Sequence, residues 1–352
     1  MEEASLILHV GGAKCGSSAL QAALSVAKWD ASDIGYAALN GHRRRVVYGP
    51  AAVRSSLRSA YGYIASSGAD LLLKLDRPAR LKMFDDLRAL VDRKRLVVLS
   101  NEGWLGRYQS FADSGFLDDL AMPFIVYVVV RPQVDFMNSA WWQWGAWTGV
   151  GLARWVHSKI DSVRWHSQIS RWREHPSCRD VRVTVLGRDV VGDFFATFGV
   201  EHDPAATEAR QVNTSLPGEI LRLFQRHPHL RPKPDKAEID FVLSRIGYRG
   251  QPTPWVIDPA LAAEIVGAAR ADNEALLASL PPDQAARMRD NAAWWSADAH
   301  AHKPLESPEP QPADDELLDP LCARLVEALV DYDAELRRLR RIAPPSTRLG
   351  GK

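Results

Sequence analysis

Three continuous apolar runs constrain the fold more than any other feature of the chain. "LILHV" (6–10), "RLVVLS" (95–100) and "FIVYVVV" (124–130) carry Val, Ile and Leu without polar alternation, which suits parallel strands covered on both faces. "VRVTVL" (181–186) alternates instead, as an edge or half-covered strand does. Helical spacing fills the intervals. Ser17 can cap a helix whose apolar face holds Leu20, Ala23, Leu24 and Ala27, and residues 79–93 place Leu81, Phe84, Leu87, Leu90 and Val91 on one face. Pro132 opens a further helix in its first turn, where no N–H is needed. This order predicts an α/β fold with a doubly wound, mainly parallel sheet and ligands at the strand carboxyl ends.

Beyond residue 210 the composition turns to helix with polar breaks. Residues 260–280 read as one amphipathic helix, "HKPLESPEPQPADDE" (302–316) as a Pro-rich linker or loop, and roughly 317–341 as a final helix ending in a basic run. There is no internal repeat. The 44 Lys and Arg nearly balance the 43 Asp and Glu, which argues against a broad nucleic-acid-binding face. Cys15, Cys178 and Cys322 are odd in number and far apart, forming neither a metal pattern nor a disulfide framework. With an acidic N-terminus, an apolar run too short for a signal peptide and no window of membrane-spanning length, the expectation is a soluble, cytoplasmic protein.

"HVGGAKCGSS" (9–18) follows the first strand. It lacks the lysine after the last glycine that a nucleoside-triphosphate loop requires, and "VVLSNEGW" offers Glu102 where a metal-holding Asp is wanted. The dinucleotide fingerprint fails as well, because Ala13 replaces its second glycine. What remains can still grip an anion. Gly11, Gly12 and Gly16 allow close approach of backbone amides, the helix from Ser17 adds its positive end, and Lys14 adds a point charge. The competing reading is a plain glycine turn. Further on, "VVVRPQVDFMNSAWWQ" places Arg131 at a strand end and Ser139 two turns into the next helix, so both can reach one anion. The alternative for Arg131 is a structural carboxylate.

Together these residues resemble the sulfotransferase superfamily that uses 3′-phosphoadenosine 5′-phosphosulfate (PAPS). Lys14-Cys15-Gly16-Ser17-Ser18 is similar to its loop Lys-Thr/Ser-Gly-Thr/Ser-Thr/Ser, and Arg131 with Ser139 to its Arg and Ser eight residues apart. "VLSNEGWLG", the block 165–200, "VNTSLPGEILRL" (212–223) and "ADNEALLASL" (271–280) resemble the bacterial, carbohydrate-directed branch, so the likeness covers about residues 5–280. It implies a P-loop-type sulfotransferase domain over 1–300; residues 281–352 have no counterpart in the family, and the composition there reads as a Pro-rich linker or loop at 301–316 and a C-terminal helix and tail at 317–352.

The resemblance further implies transfer of a sulfuryl group from PAPS to a hydroxyl of a saccharide or glycosylated small metabolite, releasing 3′,5′-phosphoadenosine (PAP), with no metal required. Gly12, Ala13, Lys14, Cys15, Gly16, Ser17 and Ser18 would hold the 5′-phosphosulfate, Arg131 and Ser139 the 3′-phosphate, and Lys14 would stabilise the leaving phosphate. Glu102 is the candidate base; its other readings are a partner of Lys14 or a helix-cap acid. His9 is a weaker candidate, better described as a satisfied core histidine. Cys15 departs from the family's hydroxyl residue. Its place near a lysine and a helix N-terminus suggests a lowered thiol pKa and sensitivity to oxidation, against a plain small residue facing the core. Trp141, Trp144 and Trp147 can share a helical face, with Trp142 elsewhere, either stacking on sugar or filling the core; Gln143 matches a Gln of the bacterial branch. "HRRRVVY" (42–48) can gather an acidic acceptor or be a solvated loop. The rival functions are a kinase with an atypical loop and a non-catalytic PAPS- or PAP-binding protein.

Overall fold

The structure, a computed structural model, describes residues 5–26, 34–201, 216–231, 238–248 and 250–342. Its centre is a six-stranded sheet of order β3-β2-β4-β1-β5-β6. The strands are β1 (Ser5–Gly11), β2 (Ile34–Asn40), β3 (Arg45–Tyr48), β4 (Leu96–Ser100), β5 (Phe124–Val130) and β6 (Cys178–Val185). All pairings are parallel except the β2–β3 hairpin. The four expected strands are present, and β6 lies at an edge as its alternation implied. The β2–β3 hairpin is an addition. "IGYAALN" lacks a β-branched run beyond its first residue, and β3 has only four residues, so neither carries a strong strand signal.

Helices α1 (Ser17–Val26), α2 (Gly49–Arg58), α3 (Ala69–Leu72) and α4 (Arg77–Val91) precede β4. The short α5 (Tyr108–Asp113) and α6 (Phe116–Leu120) precede β5. Helices α7 (Gln133–Gln143), α8 (Leu152–Lys159) and α9 (Trp165–Arg173) lie between β5 and β6, and α10 (Val190–Thr197) follows. The alternating sides of β1 explain how both faces are covered. Leu6, Leu8 and Val10 join the core that contains Met83, Phe84 and Leu87 of α4; Ile7 joins Leu20 and Leu24 of α1 and Phe194 and Phe195 of α10. The result is an α/β fold with helices on both sides of a mainly parallel sheet, compatible with double winding.

Local chemistry marks the helix ends. Asp76 caps α4 through the Ala79 amide at 2.8 Å, with Pro78 in the first turn, and Asp189 caps α10 through Gly192 at 2.8 Å. Pro132 is the residue before α7 rather than its first, one position outside the expected place. The helix expected over 260–280 spans Pro259–Ser279. Its Asn273 is fully buried and exchanges hydrogen bonds with Gln133 at 2.6 and 3.2 Å, tying this helix to the start of α7. Asp272 accepts from the His166 and Ser167 amides at 2.8 and 2.9 Å, capping α9 from a distance.

The Pro-rich stretch 302–316 is irregular up to Asp315 and is fastened to the rest of the fold. Glu306 donates its amide to the Trp255 carbonyl at 2.7 Å. Arg222, on the helix Gly218–Arg226, reaches the carbonyls of Ser307 and Glu309 at 2.7 and 3.0 Å, and Gln225 reaches that of Pro308 at 2.8 Å. The last helix runs Asp315–Ile342 and buries Leu321 and Ala328. The side chains of Arg337, Arg338, Arg340 and Arg341, read as a helix-end surface, lie outside the described residues, as do residues 212–215 of the Asn-x-Ser segment. No helix among the described residues is long and apolar enough to cross a membrane.

Gly11 ends β1 at φ +108°, where an added Cβ would lie 2.2 Å from the Glu102 carbonyl oxygen. Gly115, also at positive φ, has open space around it. Gly115→Ala should therefore cost about 1 kcal/mol and Gly11→Ala at least about 2 kcal/mol more, measured by urea unfolding.

Candidate active site

The loop after β1 is built from three glycines in conformations that side chains rarely adopt. Gly11, Gly12 and Gly16 have φ of +108°, +35° and +88°, and Lys14 itself sits at φ +59°. A Cβ on Gly12 would fall 2.3 Å from the Val129 carbonyl oxygen, so the loop passes between the backbones of β4 and β5. The Cys15 amide closes a turn on the Gly12 carbonyl at 3.1 Å, and the Ser17 hydroxyl adds a 3.4 Å contact to the same oxygen. Helix α1 then begins at Ser17, so its first amides have no intrahelical acceptor and face the loop. The Tyr63 hydroxyl donates to the Ser18 hydroxyl at 3.1 Å, anchoring the segment between β3 and β4 to the same helix end.

Arg131 joins this loop to the second element. Its Nη1 donates to the Lys14 carbonyl at 2.9 Å and contacts the Ser139 hydroxyl at 3.4 Å, while its own carbonyl accepts from the Trp165 indole at 2.9 Å. Those partners are a carbonyl and a hydroxyl, not the structural carboxylate considered from sequence. Its Nε is buried without a partner among the described residues. Lys14, Gly16, Ser17, Ser18, Glu102 and Ser139 line one cavity of ≈ 570 Å³. Arg131 and Ser139 line a second, wider one of ≈ 1690 Å³, and the two cavities share Ser139, Ser244 and Thr253. The candidate residues at 14–18, 102, 131 and 139 are thus brought together at the carboxyl ends of β1, β4 and β5.

Glu102 follows β4 in a turn held by Asn101, whose amide donates to the His9 carbonyl at 3.0 Å and whose side chain donates to the Ser66 carbonyl at 2.6 Å. Burial raises the Glu102 pKa against the pull of Lys14. The same burial lowers the Lys14 pKa; Glu102 and Asp240 oppose that shift, while Arg131 and Arg231 add to it. Glu102 caps no helix, since the short turn that follows has Trp104 in the capping place.

Asp240, Arg231 and an aromatic wall were not legible in the sequence. Asp240 lines the first cavity from the helix Glu238–Ser244, and Arg231 Nη2 donates to its Oδ2 at 2.7 Å. Burial lifts its pKa to about 6, with Arg231 and Lys14 pulling the other way. Tyr61, Tyr63 and Phe241 meet edge to face or tilted, with centroids 4.8 to 5.9 Å apart, on the same cavity. No short motif links these residues, which lie some 180 positions apart at most.

Several expectations change. The tryptophan face is not continuous, because α7 ends at Gln143. Trp141 is buried against Trp155, whereas Trp142, Gln143 and Trp144 line the cavity and Trp147 lies beneath the Arg231 guanidinium, 4.8 Å from its centre. Arg43, Arg44 and Arg45 are exposed around the β2–β3 turn, off the cavity, so they are the solvated loop and not an acceptor grip. Cys15 is fully buried beside Leu20, Val190 and Phe194, and burial pushes its thiol up to about 12. The lowered pKa inferred from its neighbours is therefore overturned, and its amide is spent on the turn rather than free for an anion. His9 is a core residue, bonded through Nδ1 to Ser100 at 2.7 Å. No three His, Cys, Asp or Glu side chains converge as a metal set among the described residues.

No protein-family model matches the chain, and neither the curated proteins nor the solved structures contain a match. The fold and the cleft define an α/β protein with a glycine-rich loop at the end of its central strand, lining a cavity.

Two measurements check the buried groups. In the native protein, iodoacetamide at mildly alkaline pH should modify exposed Cys322 and spare Cys15, which reacts only after unfolding. His9 refuses in the folded state, down to about pH 3, a proton that the unfolded chain accepts near 6.5. Its contribution is thus present above pH 6.5 and is lost as pH falls, with a slope of at most about 1.4 kcal/mol per pH unit. His9→Gln should flatten that slope in urea titrations across this window.

Proposed function

We propose that the chain is a PAPS-dependent sulfotransferase of P-loop type acting on an alcohol. The observation that carries the reading is the junction at Arg131: one guanidinium touches both the Lys14 carbonyl and the Ser139 hydroxyl, where the two cavities meet. A donor with phosphates at both ends of a nucleoside suits two anion grips joined in this way. The unpartnered Arg131 Nε and the glycine bends that admit no Cβ at Gly11 and Gly12 also suit a loop shaped around an anion.

When bound, PAPS would supply the sulfuryl group and leave as the bisphosphate PAP. The amides and hydroxyls of Gly16, Ser17 and Ser18 would bind the 5′ end, with the positive end of α1 behind them. Gly12 and Ala13 shape the loop, and the Cys15 amide holds its turn. Arg131 and Ser139 would bind the 3′-phosphate. Lys14, half-buried and turned by its left-handed backbone, stabilises negative charge on the leaving phosphate. Glu102 takes the proton of the attacking hydroxyl; a carboxyl whose pKa is raised by burial is a stronger base than an ordinary one. Cavity walls of ring-shaped and polar side chains suit a saccharide or a glycosylated metabolite as acceptor.

The test is thermal stabilisation without metal. At about a hundred times Kd, PAP should stabilise the protein by about 2.7 kcal/mol, and AMP and ATP should do much less. The shift should vanish in Arg131→Ala. A shift with ATP that requires magnesium would favour a kinase instead, and no shift with PAP would overturn the cofactor. Binding without turnover of any hydroxyl acceptor, unaltered in Glu102→Gln, would leave a non-catalytic PAP-binding protein.

A further inference from the structure

The smaller cavity has a charge pattern that the donor grips do not explain. Among the described residues lining it, three carry charge: Lys14, Glu102 and Asp240. Lys14 belongs to the loop assigned to the donor and is already coupled to both carboxylates, so the cavity lining offers no second cation among those residues. The nearest candidate, Arg231, is committed. Its side chain is fully buried, donates to Asp240 Oδ2 at 2.7 Å and to the Trp142 carbonyl at 3.2 Å, and lies 4.8 Å from the centre of the Trp147 ring.

That bracing fixes one oxygen of Asp240 and leaves the other. Asp240 Oδ1 is buried and has no hydrogen-bond partner among the described residues. A carboxylate oxygen in that state is costly unless it meets a donor. Next to it Phe241 packs with Tyr61 and Tyr63, giving a flat apolar wall beside a polar acceptor. An anionic group brought here would lose water and meet two carboxylates. Asp240 lines the cavity with part of its side chain exposed, so a hydroxyl or an ammonium bound there would instead meet a carboxylate that still lacks one donor.

We propose that Asp240, braced by Arg231, is the specificity-determining carboxylate of the acceptor cavity, which takes a neutral or amine-bearing ring compound and rejects one bearing a carboxylate or sulfate. This deepens the sulfotransferase reading and rests on it for the cavity's role as the acceptor site. Asp240 binds the acceptor through a hydroxyl or ammonium away from the reacting oxygen, and Glu102 remains the base.

Three probes of nearly the same shape test it: 4-nitrophenyl glucoside, its uronic-acid analogue 4-nitrophenyl glucuronide, and its amino analogue 4-nitrophenyl glucosaminide with the amine protonated. Each is titrated calorimetrically into the full chain with and without PAP. The glucoside and glucosaminide should bind, with the glucuronide at least about ten-fold weaker, the scale of one uncompensated charge contact. Asp240→Asn, checked for an unchanged melting temperature, should bring the three to within about three-fold, and Asp240→Glu should restore the order. Equal or tighter binding of the glucuronide, binding of none of the probes, or a gap that survives in Asp240→Asn would overturn the proposal. The order of the probes in the unsubstituted protein is itself decisive, so a variant that fails to fold does not remove the test. If the order holds while PAP gives no stabilisation, the sulfotransferase reading fails and Asp240 stands as a ligand-binding carboxylate. If PAP stabilises and the order fails, the reverse is true.

Discussion

Everything in the cleft depends on how closely the main chain leaving β1 approaches its two neighbours. Gly11 lies against the Glu102 backbone and Gly12 against the Val129 carbonyl, at distances no Cβ could share. A loop wedged in this way cannot be displaced without moving the exits of β4 and β5, which carry Glu102 and Arg131. The left-handed turn at Lys14 follows from the same path, and Arg131 then closes it by bonding the Lys14 carbonyl, 117 residues away in the chain. The loop, Glu102 and Arg131 are therefore held together as one unit. Such preorganisation is what charge stabilisation needs, because the groups do not have to reorient as charge develops.

Charges of both signs are gathered in the cleft. Backbone amides, the start of α1, Lys14 and Arg131 supply positive potential at the strand ends. Glu102, at the exit of β4, and Asp240 bring negative charge to the cavity that Lys14 lines, and burial raises the pKa of both against the influence of nearby cations. On the proposed reading, the cations hold an anionic leaving group while a carboxylate close to them takes the proton of the nucleophile. Lys14 has its charge opposed by burial and supported by the two carboxylates. Removing either carboxylate would thus alter the lysine as well as the pocket, and the effects of the three groups should not add.

What could be read from the sequence divides along physical lines. Strands β1, β4 and β5 are legible because burial on both faces demands uninterrupted apolar residues, and the glycine loop because its bends exclude side chains. The Arg131–Ser139 pair is legible because a strand end and one helix relate its members locally. β2 is not, since Ala and Gly pack between neighbours without announcing a strand. Asp240 and Arg231 are not either: they meet Lys14 and Trp142 only through tertiary packing, and no periodicity connects them. The basic run at 43–45 is a conspicuous pattern with the ordinary cause its composition allowed, a solvated turn, while the tryptophan series is divided between core and cavity because its helix ends early.

Cys15 shows why a departure from a familiar motif must be judged by direction as well as by chemistry. Considered as a replacement for a hydroxyl, the thiol is a poor donor, and its neighbours suggest reactivity. Its side chain, however, does not line the cavity and is buried in the packing between α1 and α10, where a Cβ on Gly12 would come within 2.9 Å of its sulfur. The position therefore asks for a small, poorly hydrated side chain, and its amide is already engaged in the turn. Cys meets that demand at least as well as a hydroxyl, which would be buried in an apolar cluster and need a partner of its own. Cys15 and the glycine at 12 belong together: one fills the space that the other leaves open, and the hydrogen bond between their backbones closes the turn that holds Lys14.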